Sequence, residues 1–154
     1  MKPRLANPAE SLMLAAMPAQ IYRHPYRVTY ADCTVGNHVY YGRYLDLLET
    51  ARAELFRHVG TPFARWQANN LLLPVVECRL RYKGAARYDD LLTLEVWLTD
   101  LGRVRLTFAY RIINPANTLI LEASTLHACT TLEDKPQRLP DELITRLAPY
   151  LDKE

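Results

Sequence analysis

The sequence has little of what marks several common protein classes. Its 154 residues include only five glycines and three cysteines, Cys33, Cys78 and Cys129. No stretch approaches the roughly 18 consecutive apolar residues of a membrane-spanning helix. The low glycine content excludes a collagen-like chain, and an odd number of cysteines argues against a disulfide framework. We therefore expect a globular protein of a reducing compartment, the cytoplasm, without a membrane as partner.

Strong charge of either sign is also missing. Nineteen Lys and Arg residues against 17 Asp and Glu residues give a formal net charge of +2, too small to indicate a nucleic-acid-binding protein. Near the N-terminus, the apolar residues 12–17 are followed by Pro18, and this stretch is shorter than the apolar core of a secretory signal. The sequence predicts an N-terminal extension over residues 1–20 and one domain over residues 21–154.

Hydrophobic periodicity predicts the first elements of that domain. A strand rich in Tyr, Val and Thr is expected at 22–31, interrupted by Pro25. Apolar residues then recur every three or four positions over 44–59, which indicates an amphipathic helix that ends at Gly60 and Pro62. A connector containing Trp66 follows.

Alternation with a period of two predicts four further strands, at about 76–82, 92–98, 104–112 and 119–132. In the first of them the buried face would consist of Val76, Cys78, Leu80 and Tyr82. Pro140 opens a short C-terminal helix. These elements predict an α+β domain in which a meandering antiparallel sheet wraps around one long central helix.

The densest group of reactive side chains lies between the first strand and the helix. Asp32, Thr34 and His38 occupy this loop, and the N-terminus of a helix offers free N–H groups that suit a developing oxyanion. The same residue types are ordinary helix caps, so a structural turn is the alternative. His38 is either a base or a substrate contact, or simply a packed ring.

Within the helix, Arg52 falls inside the apolar arc and Glu49 lies at its margin. A buried guanidinium is costly unless it is paired. Arg52 therefore forms an ion pair with Glu49 or Asp32, or extends to solvent, or places a charge at the floor of a site. The histidines and cysteines show no metal-ligand spacing, and we expect no metal.

Residues of the loop and the helix resemble the motifs of a known protein family. The run Asp32-Cys33-Thr34 with Gly36, His38-Val39-Tyr40-Tyr41, Tyr44-Leu45, Glu49 and Ala51-Arg52 resembles the start of the 4-hydroxybenzoyl-CoA thioesterase family of hotdog-fold proteins. The later segments Ala86-Arg87-Tyr88-Asp89-Asp90 and Arg138-Leu139-Pro140 are similar to the family's conserved turn and closing segment. The resemblance covers residues 22–143.

The resemblance implies a hotdog fold, a homodimer whose sheets join edge to edge, and often a homotetramer. It implies hydrolysis of an acyl-CoA or acyl-carrier-protein thioester to free acid and thiol. No cofactor is implied, because coenzyme A is part of the substrate. The backbone N–H at Tyr41 would hold the thioester oxygen, and Arg103 would contact the nucleotide.

One position departs from the family pattern. The family's catalytic acid is normally the second Asp of an Asp-x-Asp motif, and Thr34 stands there; Asp32 matches the first, usually structural, Asp. Thioesterases of enediyne polyketide pathways resemble this chain in having a polar non-acid at the Thr34 position and an Arg at the Arg52 position. Either polar groups hold the water and Arg52 stabilises the oxyanion, or Asp32 or Glu49 acts as the base. The rivals are a hotdog protein that binds thioesters without hydrolysing them and a dehydratase that uses His38.

Overall fold

The computed structural model describes residues 20–153. The predicted extension therefore lies almost wholly outside the described residues, and its boundary stays a prediction. The strands are β1 Tyr22–Arg27, β2 Val75–Tyr82, β3 Leu91–Leu101, β4 Arg105–Ile113 and β5 Leu119–Ala128. The α-helices are α1 Arg43–His58, α2 Phe63–Ala68 and α3 Asp141–Leu147, with short 3-10 turns at Tyr30–Asp32 and Ala148–Tyr150. Over residues 20–153, every helix is too short or too polar to cross a membrane.

All five strands form one antiparallel sheet in the order β1-β3-β4-β5-β2. The prediction of a four-strand meander is correct for β3, β4 and β5 and wrong for β2, which lies at the far edge beside β5. Residues 83–90 carry the chain from that edge past the end of β5, where the Gly84 amide donates to the Ile120 carbonyl at 3.2 Å. Alternation in a sequence shows which face a residue occupies but not which strand is its neighbour.

The predicted helix over 44–59 is confirmed to within one residue at each end by α1. Its apolar stripe packs against the inner face of the sheet, chiefly against β3 and β1. The buried side chains of α1 and β3 are Tyr44, Leu47, Leu48, Ala51, Leu55 and Phe56 of the helix and Leu92, Leu94, Val96 and Leu98 of the strand. Each fully buried leucine stabilises this packing by about 1.5–3 kcal/mol. The α+β prediction is confirmed.

Two strand boundaries and one connector differ from the prediction. β1 ends at Arg27, because the chain then turns through Tyr30–Asp32 instead of continuing as a strand. The connector around Trp66 is a helix, α2, which buries the Trp66 ring. β5 ends at Ala128 instead of near 132, because Thr130 then pairs with both Leu72 and Pro136.

The prediction that β2 has a buried face is wrong for the single chain. Val76, Cys78 and Tyr82 are exposed, and only Leu80 is half-buried. The physical reason is the position of β2 at one edge of the sheet, because α1 packs chiefly against β3 and β1 towards the other edge. In residues 20–153, one edge of β2 pairs with β5 and the other edge carries no strand.

Candidate functional site

The carboxylate of Asp32 is buried at the beginning of the loop that leads into α1, with 1% of the residue exposed. Its Oδ2 accepts hydrogen bonds from the Tyr26 hydroxyl at 2.9 Å, the Thr29 amide at 2.8 Å and the Thr29 hydroxyl at 3.0 Å. Its Oδ1 accepts from Nε and Nη2 of Arg43 at 3.0 and 2.8 Å. Burial opposes ionisation, but these hydrogen bonds together outweigh it and lower the pKa of Asp32. Five donors fill the carboxylate and fix the loop to α1.

Arg43, and not Arg52, is therefore the ion-pair partner of Asp32. Sequence reasoning missed Arg43. A signal was present, because a cation in the first turn of a helix opposes the macrodipole unless an anion compensates it. Here Asp32 and Asp46 compensate it from two sides, with the Asp46 oxygen 2.8 Å from Arg43 Nη1.

The loop after Asp32 folds back on itself and brings Thr34 next to His38. The Thr34 amide donates to the His38 carbonyl at 2.7 Å, and the Asn37 amide donates to the Thr34 carbonyl at 3.0 Å. Asn37 adopts the left-handed conformation at φ 57°, which Asn tolerates better than most residues. The side chains of Thr34 and His38 are exposed. The loop thus presents a hydroxyl and an imidazole to solvent.

A free backbone donor lies where this loop enters α1. The Tyr40 amide donates to the Asp32 carbonyl at 2.8 Å, and the Arg43 amide donates to the Tyr40 carbonyl at 2.9 Å. The intervening Tyr41 amide has no acceptor among the residues that the structure describes. The Tyr41 carbonyl accepts from the Tyr82 hydroxyl at 3.1 Å, which ties this turn to β2. An unpaired N–H at the positive end of a helix suits an oxyanion.

A second group of predicted residues lines a cavity of about 150 Å³ between α1, α2 and the sheet. A cavity of that size holds a benzene ring in another protein. Most of the wall is apolar, with one carboxylate and one guanidinium at the helix side: Glu49, Arg52, Ala53, Phe56, Phe63, Leu73, Phe108 and His127. Glu49 is exposed and Arg52 is half-buried. In the described part of the chain these two make no ion pair with each other, so the predicted alternative of an Arg52–Glu49 pair is not formed.

Arg52 instead contacts a row of neutral polar groups. Its Nη1 donates to the Tyr110 hydroxyl at 3.1 Å, and the Tyr110 and Thr125 hydroxyls lie 2.8 Å apart. Nε2 of His127 lies 2.8 Å from the Thr125 hydroxyl. Burial raises the pKa of Tyr110 to about 12 and lowers the pKa of His127 to about 4. Both groups are therefore neutral at pH 7.

Sequence reasoning did not find Tyr110, Thr125 or His127 as a set. Each occupies an inward-facing position of β4 or β5, and each is 2% exposed. A signal was available, because a hydroxyl or an imidazole at such a position needs a hydrogen-bond partner. The pattern could show the need for partners but not which residues supply them.

The structure brings the predicted site residues together in two groups and not in one. Asp32, Thr34, His38 and the Tyr41 amide meet in the loop, and Glu49 and Arg52 meet at the cavity. Arg52 follows Tyr41 by eleven positions, which corresponds to roughly 16 Å along a helix.

Arg103 belongs to neither group. It is exposed and follows the C-terminal end of β3, whereas the loop packs beside the other end, where the Tyr88 amide donates to Asn37 Oδ1 at 3.1 Å. The 11 residues of β3 separate these two ends by roughly 35 Å. Within residues 20–153, no three His, Cys, Asp or Glu side chains are grouped so that they could hold a metal ion.

Comparison with known proteins agrees with this architecture. A family profile described as the thioesterase-like superfamily matches residues 28–147. The acyl-CoA thioester hydrolase YbgC of Escherichia coli (strain CFT073) is 33% identical over 83% of this chain and 96% of its own length. The acyl-CoA thioesterase YbgC of Haemophilus influenzae is 33% identical over 79% of this chain and 90% of its own.

The crystal structure of Slr0204, a 1,4-dihydroxy-2-naphthoyl-CoA thioesterase from Synechocystis, shares the fold. It superposes with a TM-score of 0.77 at 21% identity over 84% of this chain and 96% of that one. The expectation of a hotdog fold is confirmed. The chain belongs to the thioesterase-like superfamily.

Proposed function

We propose that this protein hydrolyses an acyl-CoA thioester to the free acid and the coenzyme A thiol. The observation that carries the proposal is the Tyr41 amide just before α1, which has no acceptor within residues 20–153 and lies on the same loop as the exposed Thr34 hydroxyl. Relatives at 33% identity are named acyl-CoA thioester hydrolase and acyl-CoA thioesterase, which supports catalysis. They do not favour the alternative of a protein that binds a thioester without hydrolysing it.

The active unit that we propose is a homodimer joined through β2. Its free edge exposes Val75, Val76 and Tyr82, and exposed apolar strand edges pair readily with a second strand. At one end of β2, Tyr82 contacts the Tyr41 carbonyl. Nearer the other end, Cys78 pairs with Thr125, which belongs to the row of groups that ends at Arg52.

An antiparallel β2 pair across a two-fold axis would therefore place the loop of one protomer beside Glu49 and Arg52 of the other. That arrangement supplies what one chain lacks, because Tyr41 and Arg52 of the same chain are eleven positions apart, roughly 16 Å at the rise of a helix. We extend the proposal to a homotetramer of such dimers on the resemblance to the family. The three free thiols, Cys33, Cys78 and Cys129, fit a reducing cytoplasm.

The chemistry needs a base, a water and an oxyanion site. Asp32 is a poor base because five donors already occupy its carboxylate. Glu49 of the partner is exposed at the cavity mouth and takes a proton from water as the water oxygen bonds to the thioester carbon. The carbonyl oxygen becomes an oxyanion, held by the Tyr41 amide and the partner's Arg52. The C–S bond then breaks, and the thiolate takes the proton from Glu49.

The remaining predicted residues have binding roles in this proposal. Thr34 orients the water, and His38 contacts the pantetheine arm close to the loop. The partner's Arg103 binds a phosphate of coenzyme A, because Arg103 lies at the Val75 end of β2, the end that the antiparallel pair sets beside the loop of the other protomer. No cofactor beyond the coenzyme A of the substrate is required, because thioester hydrolysis consumes only water.

The test is thiol release from short, long and aromatic acyl-CoAs by the parent and by Glu49→Gln. We expect turnover by the parent and a loss of kcat of at least about a hundredfold in Glu49→Gln. Glu54→Gln is the matched control, because Glu54 lies on the same helix and pairs with Arg57 at the surface. It should retain the parent rate. A parent that binds acyl-CoA but releases no thiol would establish the non-hydrolytic alternative.

A further inference from the structure

Three buried polar side chains on the inner face of β4 and β5 have no role in the chemistry described so far. Tyr110, Thr125 and His127 are each 2% exposed, among side chains that are otherwise apolar. Placing three polar groups there is costly unless every donor and acceptor is satisfied. Phe108, edge-on to the His127 ring at 5.4 Å between centroids, shows how apolar the surroundings are.

The hydrogen bonds of these residues can run in only one direction at neutral pH. The Leu73 carbonyl can only accept, so Nδ1 of His127, 2.8 Å away, must be the donor. In a neutral ring, Nε2 is then an acceptor, and the Thr125 hydroxyl donates to it at 2.8 Å. Because the Thr125 proton is used there, the Tyr110 hydroxyl donates to the Thr125 oxygen, also at 2.8 Å.

The Tyr110 oxygen is thereby left as an acceptor facing Arg52. Nη1 of Arg52 donates to it at 3.1 Å, and this is the one hydrogen bond that the guanidinium makes within residues 20–153. Arg52 has five N–H donors, so most of its donors stay available at the cavity. The row from the Leu73 carbonyl to Arg52 holds the guanidinium in place without neutralising it.

We propose that Tyr110, Thr125 and His127 are positioning residues that aim the Arg52 guanidinium at the reacting thioester. This role rests on the proposed function. A carboxylate partner would hold Arg52 equally well but would cancel the charge that the oxyanion needs. A chain of neutral hydrogen bonds fixes the same side chain and leaves its charge intact. The row thus prevents a long, flexible arginine from sampling conformations that do not face the substrate.

The test uses substitutions at Thr125 that differ by one hydroxyl. Thr125→Val keeps the shape and removes the hydroxyl, whereas Thr125→Ser keeps the hydroxyl. For Thr125→Val we expect kcat to fall about tenfold to a hundredfold with KM within about twofold, because breaking the row frees the Tyr110 hydroxyl and weakens its hydrogen bond to the charged Arg52. Thr125→Ser should recover the parent rate to within about threefold, an estimate for a retained hydroxyl.

The second part of the test is a double-mutant cycle with Arg52→Ala. If the row acts through Arg52, Thr125→Val added to Arg52→Ala lowers kcat no further. A purely structural role for Thr125 would lower kcat by the same factor in both backgrounds, and that result overturns the proposal. ¹⁵N NMR of His127 in the full-length protein supplies a readout independent of turnover. It should show a neutral ring protonated at Nδ1, and a doubly protonated ring at pH 7 also overturns the proposal.

The failure of this inference and of the proposed function are distinguishable. If the parent releases no thiol from any acyl-CoA, the proposed function fails, and the positioning role fails with it. If the parent is active but Thr125→Val matches Thr125→Ser, only the positioning role fails.

Discussion

Asp32 and Arg52 are both charged side chains within the folded domain, yet the protein satisfies them in opposite ways. Asp32 is almost fully buried and accepts five hydrogen bonds, two of them from the cation Arg43. Arg52 is half-buried and donates to a single neutral hydroxyl among the described residues. The first charge is balanced by a counter-charge, whereas the second is anchored but not balanced.

The difference separates a structural charge from one that is available to substrate. A carboxylate whose lone pairs are filled can neither take a proton from water nor approach a thioester, although it can hold a loop against a helix. A guanidinium anchored through one N–H keeps its other donors and its full charge. Burial alone would have selected Asp32 as the reactive residue, and the partners reverse that choice.

The largest effect should come from breaking the balanced pair. Asp32→Ala leaves Arg43 without its inner partner and removes the acceptor of Tyr26 and Thr29, so we expect the free energy of unfolding to fall by about 3 kcal/mol. Urea denaturation measures it. Asp46→Ala, which removes the exposed partner of Arg43, should cost less than about 1 kcal/mol. Equal losses in the two variants would contradict the structural role of Asp32.

A pH titration should reveal the neutral anchoring of Arg52. Burial lowers the pKa of His127 in the folded protein to about 4, from its ordinary value of 6.5. As the pH falls below 6.5, the His127 ring binds a proton in the unfolded chain, whereas in the folded protein it stays neutral until about pH 4. The free energy of unfolding therefore decreases between pH 6.5 and pH 4. The expected loss is up to about 3 kcal/mol.

The matched comparison for this titration is between His127→Gln and His38→Gln. The first should show a shallower loss of unfolding free energy from pH 6.5 to 4 than the parent, because the titrating ring is gone. The same substitution at His38, whose side chain is exposed, controls for the exchange of His for Gln itself. Parallel profiles for the parent and His127→Gln would show that His127 is not held neutral.

A smaller effect is expected at the edge that we propose joins the two groups. Val76→Lys places a charge on the exposed edge of β2 and should raise the dimer dissociation constant about tenfold. Sedimentation velocity across a dilution series measures it. Val104→Lys is the control, since Val104 is similarly exposed but precedes β4. If both variants dimerise like the parent, β2 is not the interface.

Arg103 should show the smallest effect, because an exposed charge contributes little. Arg103→Ala should raise KM for an acyl-CoA about threefold and leave kcat unchanged. The effect should vanish on the matching acyl-N-acetylcysteamine thioester, which has no phosphates. A change in kcat on that short substrate would place Arg103 elsewhere in the reaction.

The fold could be predicted from the sequence wherever a pattern depends on one element alone. The bounds of α1 and the faces of β3 and β4 follow from the spacing of apolar residues, because burial of one side of an element is a local requirement. The position of β2 could not be predicted in this way, since strand order depends on the path of residues 83–90. The sequence predicted that its exposed face is buried, because the presence of an apolar side chain does not show which element covers it.

In the candidate site, too, the contacts between residues close in sequence could be predicted and those between distant residues could not. Asp32, Thr34 and the Tyr41 amide are close in sequence, and one loop brings them together. Arg43 was hidden because its pairing with Asp32 depends on how the loop enters the helix. The row from His127 to Arg52 joins residues up to 75 positions apart, so only the folded sheet brings them within hydrogen-bond distance.

The most direct test of the account compares kcat for thiol release by Asp32→Asn and Arg52→Ala, both measured well below their unfolding temperatures. The account predicts that Arg52→Ala loses about a hundredfold in kcat, as expected for removal of an oxyanion donor, while Asp32→Asn stays within about threefold of the parent. If Asp32→Asn abolishes turnover in a fully folded protein and Arg52→Ala does not, the assignment of structural and reactive charge is reversed.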